Sequence, residues 1–248
     1  MLKFILERAL LLPDRTLVIA DLHLGLEHEL AAGGITVPSQ ARTALKRLTD
    51  LAKLTRASAL VILGDIKHNV PGASWQELRE IPELLGQLAK KLKVTVIKGN
   101  HDAGLERLAP PEVKIHSAAG LRIRSLALVH GHAWPAADLL SCETLIMAHA
   151  HPAIEFWSGR FRALEPVWLR CSIDRKKLLE KYGKQSALKE AIIMPAFGKL
   201  IGGTAFNTAD FKPIGPLLRK AAVKWQSARI YLLDGTYLGS LRNCKSKR

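Results

Sequence analysis

The sequence predicts an α/β fold, with one mixed sheet or two sheets packed together. Three features lead to that reading. Five short apolar runs rich in β-branched residues and leucine are bounded by turn residues, as buried strands are. Amphipathic segments of helical period separate the first three runs. After about residue 108 the spacing tightens and leaves no room for helices.

TLVIA (16–20) is the first run and ends in Asp21. PSQARTALKRLTDLAKLT (38–55) follows, with Ala41, Leu45, Leu48 and Ala52 at helical spacing, Leu51 beside them, and Pro38 and Ser39 as a helix start. SALVILG (58–64) is the second run, ending in Asp65. ASWQELREIPELLGQLAKK (73–91) is again helical, with Pro82 expected to kink it and Gly86 to weaken it. KVTVIKG (93–99) is the third run and ends in Asn100. Strand and helix alternating in this way predict parallel βαβ units. VKIH, GLRIRS and LALVHG then follow closely and are expected to be antiparallel; LALV ends in His130, and TLIMA (144–148) ends in His149. The stretch at 173–191 reads as an insertion with a short helix cored by Leu178 and Leu179, a solvated excursion rather than a lid. ARIYLL, Asp234-Gly235 and TYLGSL predict a terminal hairpin.

A chain of 248 residues, 48% hydrophobic, can bury one substantial core, so residues 1–248 are expected to form one domain. The apolar N-terminus is interrupted by Lys3, Glu7, Arg8, Asp14 and Arg15, which argues against a targeting segment or a membrane span. Cys142, Cys171 and Cys244 have no metal-like spacing and suit free thiols in a reducing, cytoplasmic setting. The net charge of +15 is uneven. Residues 1–154 hold 18 Lys/Arg against 15 Asp/Glu, and residues 155–248 hold 19 against 7. A basic C-terminal part points to a polyanionic partner, nucleic acid before a membrane surface.

Every apolar run ends in a residue able to bind a metal. The fragments are D-L-H (Asp21, His23), G-D-I-K-H (Asp65, His68), G-N-H-D (Asn100, His101, Asp102), H-G-H (His130, His132) and H-A-H (His149, His151). Ligands of layered α/β folds bind at the carboxyl ends of strands, so these fragments are expected to converge. Carboxylate oxygens together with imidazole nitrogens suit Mn²⁺, Fe²⁺ or Zn²⁺. His28 and His116 lie outside the blocks and read as structural, and the five tryptophans read as core.

In these blocks the chain resembles the calcineurin-like metallophosphoesterases, whose pattern is D-x-H, G-D-x-x-[DH], G-N-H-[DE], H and G-H-x-H. The blocks span residues 21–151, and Ala148 stands where the last one usually has Gly. The resemblance implies a four-layer α/β sandwich with two mixed sheets flanked by helices. It implies two divalent ions, Mn²⁺ first and Fe²⁺, Zn²⁺ or Ni²⁺ as alternatives. Asp21, His23 and His151 would hold one ion, Asn100, His130 and His149 the other, with Asp65 between them. A hydroxide shared by the ions would attack phosphorus, His101 would protonate the leaving oxygen, and Asp102 would orient His101. His68 and His132 are expected at the substrate.

G-D-x-x-H and Pro71 resemble the SbcD-type nucleases. The D-L-H-L-G start and MPAFGKLIGGTAFN (194–207) are similar to the SbcD-related archaeal phosphoesterases and the bacterial PdeM-like proteins linked to DNA repair. The leading expectation is therefore a phosphodiesterase acting on nucleic acid, with a DNA-repair protein as a further partner. A phosphodiesterase or phosphomonoesterase for a small nucleotide or metabolite is the alternative. A scaffold with a decayed site is disfavoured, because every ligand and His101 are intact.

Overall fold

The computed structural model describes residues 2–246, which form two sheets packed face to face. The first sheet runs in the order β1 (Lys3–Ile5), β2 (Ala9–Leu11), β3 (Thr16–Ala20), β4 (Ala59–Leu63), β5 (Lys93–Ile97) and β6 (Lys114–His116). Helices α1 (Leu26–Ala32) and α2 (Ala41–Thr55) connect β3 to β4, and α3 (Trp75–Ala89) connects β4 to β5. The second sheet contains β7 (Leu121–Ile123), β8 (Leu126–Val129), β9 (Thr144–Met147), β10 (Pro152–Ser158), β11 (Phe161–Ser172), β12 (Glu190–Ile193) and β13 (Thr204–Ala205). Its order is β13-β10-β11-β12-β9-β8-β7, and the hairpin of β14 (Arg229–Leu232) and β15 (Tyr237–Ser240) pairs onto β11. Helices α4 (Arg175–Tyr182) and α5 (Gly215–Arg219) belong to this half.

The continuous apolar runs follow from burial on both faces. Leu17 and Ile19 of β3, with Leu60 and Ile62 of β4, pack on α2 and α3 through Ala44, Leu48, Leu51, Ile81, Leu84 and Leu88. The alternate residues Val18, Ala20, Val61 and Leu63 face Leu128, Ile146, Trp168 and Ile192 of the second sheet. Period-2 alternation thus supplies two cores from one strand, and each buried Leu or Ile contributes about 1.5–3 kcal/mol. A third cluster, with Leu139, Leu178, Leu217 and Val223, covers the far side of the second sheet. The result is helix, sheet, sheet, helix, the four-layer sandwich that the family resemblance implies.

Helix α3 starts with a capping box: Ser74 Oγ accepts from the Glu77 amide (3.2 Å) and the Glu77 carboxylate accepts from the Ser74 amide. It continues through Pro82, held by the burial of Ile81, Leu84, Leu85 and Leu88. Three expectations change. The strand from VKIH, β6, pairs parallel with β5, because the loop from residue 98 to 113 is long enough for a crossover; only β7 and β8 form the expected antiparallel pair. Residues 173–191 are largely exposed, as expected, but of the expected helix core only Leu178 is buried and Leu179 stands exposed; buried Leu188 and the bond from Tyr182 to the Pro135 carbonyl (2.6 Å) pin the segment. Of the five tryptophans only Trp168 is fully buried, while Trp75 stands exposed beneath the Arg79 guanidinium.

Candidate metal centre

The motif residues occupy the loops that leave β3, β4, β5, β8 and β9 at one end of both sheets. The backbone turns sharply there. Asp21, His23, Asp65, His149 and His151 all have positive φ, between 44° and 69°. A non-glycine residue in that region is uncommon and costs of order 1–3 kcal/mol when the surroundings enforce it. The surroundings are a lacing of main-chain bonds: Asp21 N to Gly64 O (3.1 Å), His23 N to Asp65 O (2.8 Å) and Ala148 N to His130 O (2.9 Å). The stretch at 194–207 belongs to it as well. Phe197 N bonds Ala20 O (2.8 Å), Gly198 N bonds Asp21 O (3.1 Å), and Thr204 N bonds His151 O (2.7 Å). Gly99 is required where the G-N-H-D turn presses on Asp65; a Cβ there would overlap the Asp65 carboxylate and amide.

Three sets of ligand atoms lie within 4.8 Å of one another: Asp21 with His23 and His151, Asp65 with His130 and His149, and His23 with His68 and His101. The first two bring together residues expected at the two metal sites, with Asp65 falling in the second set and Asn100 in neither. Asp65 Oδ2 faces one imidazole of each set, His23 Nε2 at 3.6 Å and His130 Nε2 at 3.3 Å, as a residue shared by two ions would. His130 Nε2 also lies 3.1 Å from Asp21 Oδ1, and His151 Nε2 lies 3.4 Å from it.

The electrostatics follow from burying these groups together. Burial would raise the Asp21 carboxyl, but the charge of His151 and the bond from His130 hold it far below the usual carboxylate range. Asp65 is held at about 2, against the effect of burial, chiefly by His130. Burial works against a charge on His130, yet its bonds to Asp21 and Asp65 push it up to about 10. Burial lowers His23 to about 4 despite Asp65, and lowers His149 to about 4 with help from the charge of His130. Two ionised carboxylates thus face two neutral imidazoles, His23 and His149, in their ligand forms, while the same carboxylates favour the charged forms of His130 and His151, whose protons a cation would have to displace. The buried Nε2 atoms of His23 and His151 make no hydrogen bond. Orphaned buried nitrogens aimed at carboxylates are what a bound cation would satisfy, so the residues present fit a divalent metal pair.

The remaining motif residues fall as follows. Asn100 is exposed on the loop, between buried Gly99 and half-buried His101. The His101 amide donates to Asp65 Oδ1 (2.9 Å) and its ring Nδ1 meets the His68 carbonyl (2.5 Å). The expected task of Asp102 is therefore corrected. Its carboxylate is fully buried and accepts from the amides of Gly99 (2.8 Å) and Ile66 (2.9 Å), so it ties two loops together while a carbonyl orients His101. His132 and His68, expected at the substrate, are also engaged within the protein. His132 Nδ1 lies 2.8 Å from His130 Nδ1, and both ring nitrogens of His68 have partners, His23 Nδ1 (3.2 Å) and Glu29 Oε2 (2.6 Å).

Two acidic residues escaped the sequence reading. Glu77 accepts from the amides of His68 (2.7 Å) and Asn69 (2.9 Å), so the cap of α3 also fixes the G-D-I-K-H loop. The S-x-x-E spacing from Ser74 signals that cap, though not its second use. Glu29 lies on α1, and nothing in its spacing announces a partner at residue 68.

The profile of the calcineurin-like phosphoesterase family matches residues 14–184. A crystal structure of Pseudomonas putida nuclease MPE is similar with a TM-score of 0.59 at 22% identity, over 94% of this chain and 92% of that one. The E. coli phosphoesterase YfcE gives a TM-score of 0.41 at 15% identity, over 90% and 96%. No match was found among curated protein sequences. The described residues include no helix long and apolar enough to cross a membrane. With a profile match over more than two thirds of its length and the metal-capable loops gathered at one end of the sandwich, the chain belongs to the calcineurin-like phosphoesterase family of metal-dependent hydrolases.

Proposed function

We propose that the protein hydrolyses phosphodiester bonds in nucleic acid, with two divalent cations, Mn²⁺ first among them. The observation that carries the metal reading is the pair of buried, unpartnered Nε2 atoms, on His23 and His151, facing the carboxylates of Asp65 and Asp21. Asp21, His23 and His151 would hold one cation, Asn100, His130 and His149 the other, and Asp65 both. The cations would supply activation of water and neutralisation of charge on the phosphate. The protein's own part is positioning and proton supply. Because a carbonyl can only accept, the His101 Nδ1 atom carries a proton toward His68 O, which leaves Nε2 for the leaving oxygen. A protonated His101 is then a general acid with its ring orientation already fixed.

The distribution of charge supports a polymeric substrate. Residues 155–248 hold 19 Lys/Arg against 7 Asp/Glu. An open groove of about 750 Å³ includes Thr204, whose amide bonds the His151 carbonyl, and its lining sets Arg162 and Lys212 against Glu155 and Asp210, with Arg162 paired to Glu155, so the groove itself carries no excess positive charge. The structurally similar Pseudomonas putida protein is a nuclease, which makes polymer cleavage the first activity to assay.

The test is to strip the protein of metal, add Mn²⁺, and compare single-stranded DNA, RNA and an aryl phosphodiester, with His101→Ala alongside. Polymer cleavage lost in His101→Ala supports the whole reading. Turnover of the aryl ester alone moves the substrate to a small phosphodiester. No turnover of any of them refutes the catalytic reading.

A further inference from the structure

We infer that Glu29 and His68 are positioning residues that fix the tautomer and ring orientation of His23, and so set the affinity of one of the two cation sites. The inference rests on the metal-dependent reading above and adds two residues to it. His23 Nε2 is the nitrogen aimed at Asp65 Oδ2 (3.6 Å), buried and without a hydrogen bond. To take a cation it must be unprotonated, so the neutral ring carries its proton on Nδ1. That atom lies 3.2 Å from His68 Nδ1, which must then be an acceptor. A neutral ring that accepts at Nδ1 carries its proton on Nε2, and His68 Nε2 lies 2.6 Å from Glu29 Oε2, a group that accepts when ionised. Each donor therefore has one available direction: His23 to His68, His68 to Glu29. Without Glu29, His68 is free to exchange its proton between nitrogens, and nothing then keeps His23 in the ligand form.

The parts are themselves held. The His68 amide donates to the Leu24 carbonyl (2.9 Å) and the Glu77 carboxylate (2.7 Å), which holds the main chain carrying its ring beside His23. Glu29 reaches it from α1 with a side chain 68% exposed. An exposed carboxylate bonded to a histidine contributes little to stability by itself. Its effect is expected at the ion, where groups behind a ligating histidine commonly change metal affinity about 10–100-fold.

The experiment is calorimetric titration of MnCl₂ into the metal-free full chain, for the wild type, Glu29→Ala, Glu29→Gln, His68→Ala and the double variant Glu29→Ala/His68→Ala. Because Glu29 is exposed, its variants are expected to fold, and thermal melts check this. The expected result is two ions on the wild type and a loss of about tenfold or more at one ion only in Glu29→Ala. The glutamine variant, whose amide oxygen can still accept from His68, should stay close to wild type. The double variant should be no weaker than His68→Ala alone, since Glu29 acts through His68. Equal affinities in wild type and Glu29→Ala would overturn the inference and leave the metal centre standing. Equal weakening of both ions, unrescued by glutamine, would overturn it in favour of a general loop effect. A wild type that binds no ion would overturn the metal centre itself and the inference with it.

Discussion

Replacing Asp102 separates a structural role from a catalytic one. The carboxylate is wholly buried and accepts from the Gly99 amide at 2.8 Å and the Ile66 amide at 2.9 Å, with Lys67 N a weaker third at 3.4 Å. A hydrogen bond to a charged acceptor contributes about 1.5–3 kcal/mol net, so the two short bonds set a ceiling of about 6 kcal/mol. Burial opposes them and raises the pKa of the group despite the bond from Gly99. Asp102→Ala should therefore cost about 3–5 kcal/mol, with the amides of Gly99 and Ile66 left without acceptors. For a chain of this size that lowers Tm by roughly 6–20 °C. Asp102→Asn keeps one acceptor but turns an NH₂ toward an amide N–H, and should cost roughly half as much. Guanidinium unfolding reads the stability, and the pH dependence of kcat under metal saturation reads His101. The expected outcome is a large loss of stability with the pH profile of the asparagine variant unmoved. A stable Asp102→Asn with a displaced pH profile would refute this reasoning and return Asp102 to its expected place behind His101.

Three further outcomes follow from the geometry. Mn²⁺ at about 100 times its Kd should stabilise the metal-free protein by about 2.7 kcal/mol per site, a rise in Tm of roughly 5–10 °C that EDTA reverses; a Tm indifferent to Mn²⁺ would contradict the metal centre. Glu155 is held at about 2, below its ordinary 4.5, by hydrogen bonds from Trp157, Ser246 and Arg162. A depressed carboxyl stabilises above the unfolded value, so this contribution is present above about 4.5 and is lost as pH falls toward 2; Glu155→Gln should flatten that part of a melting-temperature profile. Lys212→Glu, at the exposed edge of the groove, should weaken binding of single-stranded DNA and reduce the salt slope by about one ion per lost phosphate contact, measured by fluorescence anisotropy across NaCl concentrations.

The convergence of the candidate metal loops was legible because each block ends an apolar run, and a run that is buried on both faces delivers the residues that follow it to the same edge of the sandwich. Asp21 after Ala20 and Asp65 after Leu63 are read from sequence in that way. The partners of His68 were not legible. Glu29 lies 39 residues away and meets His68 only because α1 folds back over the loop after β4. Asp102 misled for a related reason. Its neighbour in sequence is His101, but the turn at Gly99 directs the two side chains to different surroundings, one toward the His68 carbonyl and one into the buried amides. The direction of β6 is not legible in the sequence, because the connection from β5 contains no full helix and crosses over through a loop with a single short turn at Leu105–Arg107.

Strand β12 lies between β11 and β9, pairing parallel with β9 from Glu190 opposite Thr144 to Ile193 opposite Met147. It comes from the lysine- and arginine-rich part of the chain, beyond the family match, yet it flanks the strand that delivers His149 and His151. Truncation cannot therefore divide the protein into a chemical half and an electrostatic half. A chain cut before residue 190 would expose the whole edge of β9, and the two histidines would lose their footing along with the positive charge. The contribution of that charge can be measured only one side chain at a time, on the intact molecule.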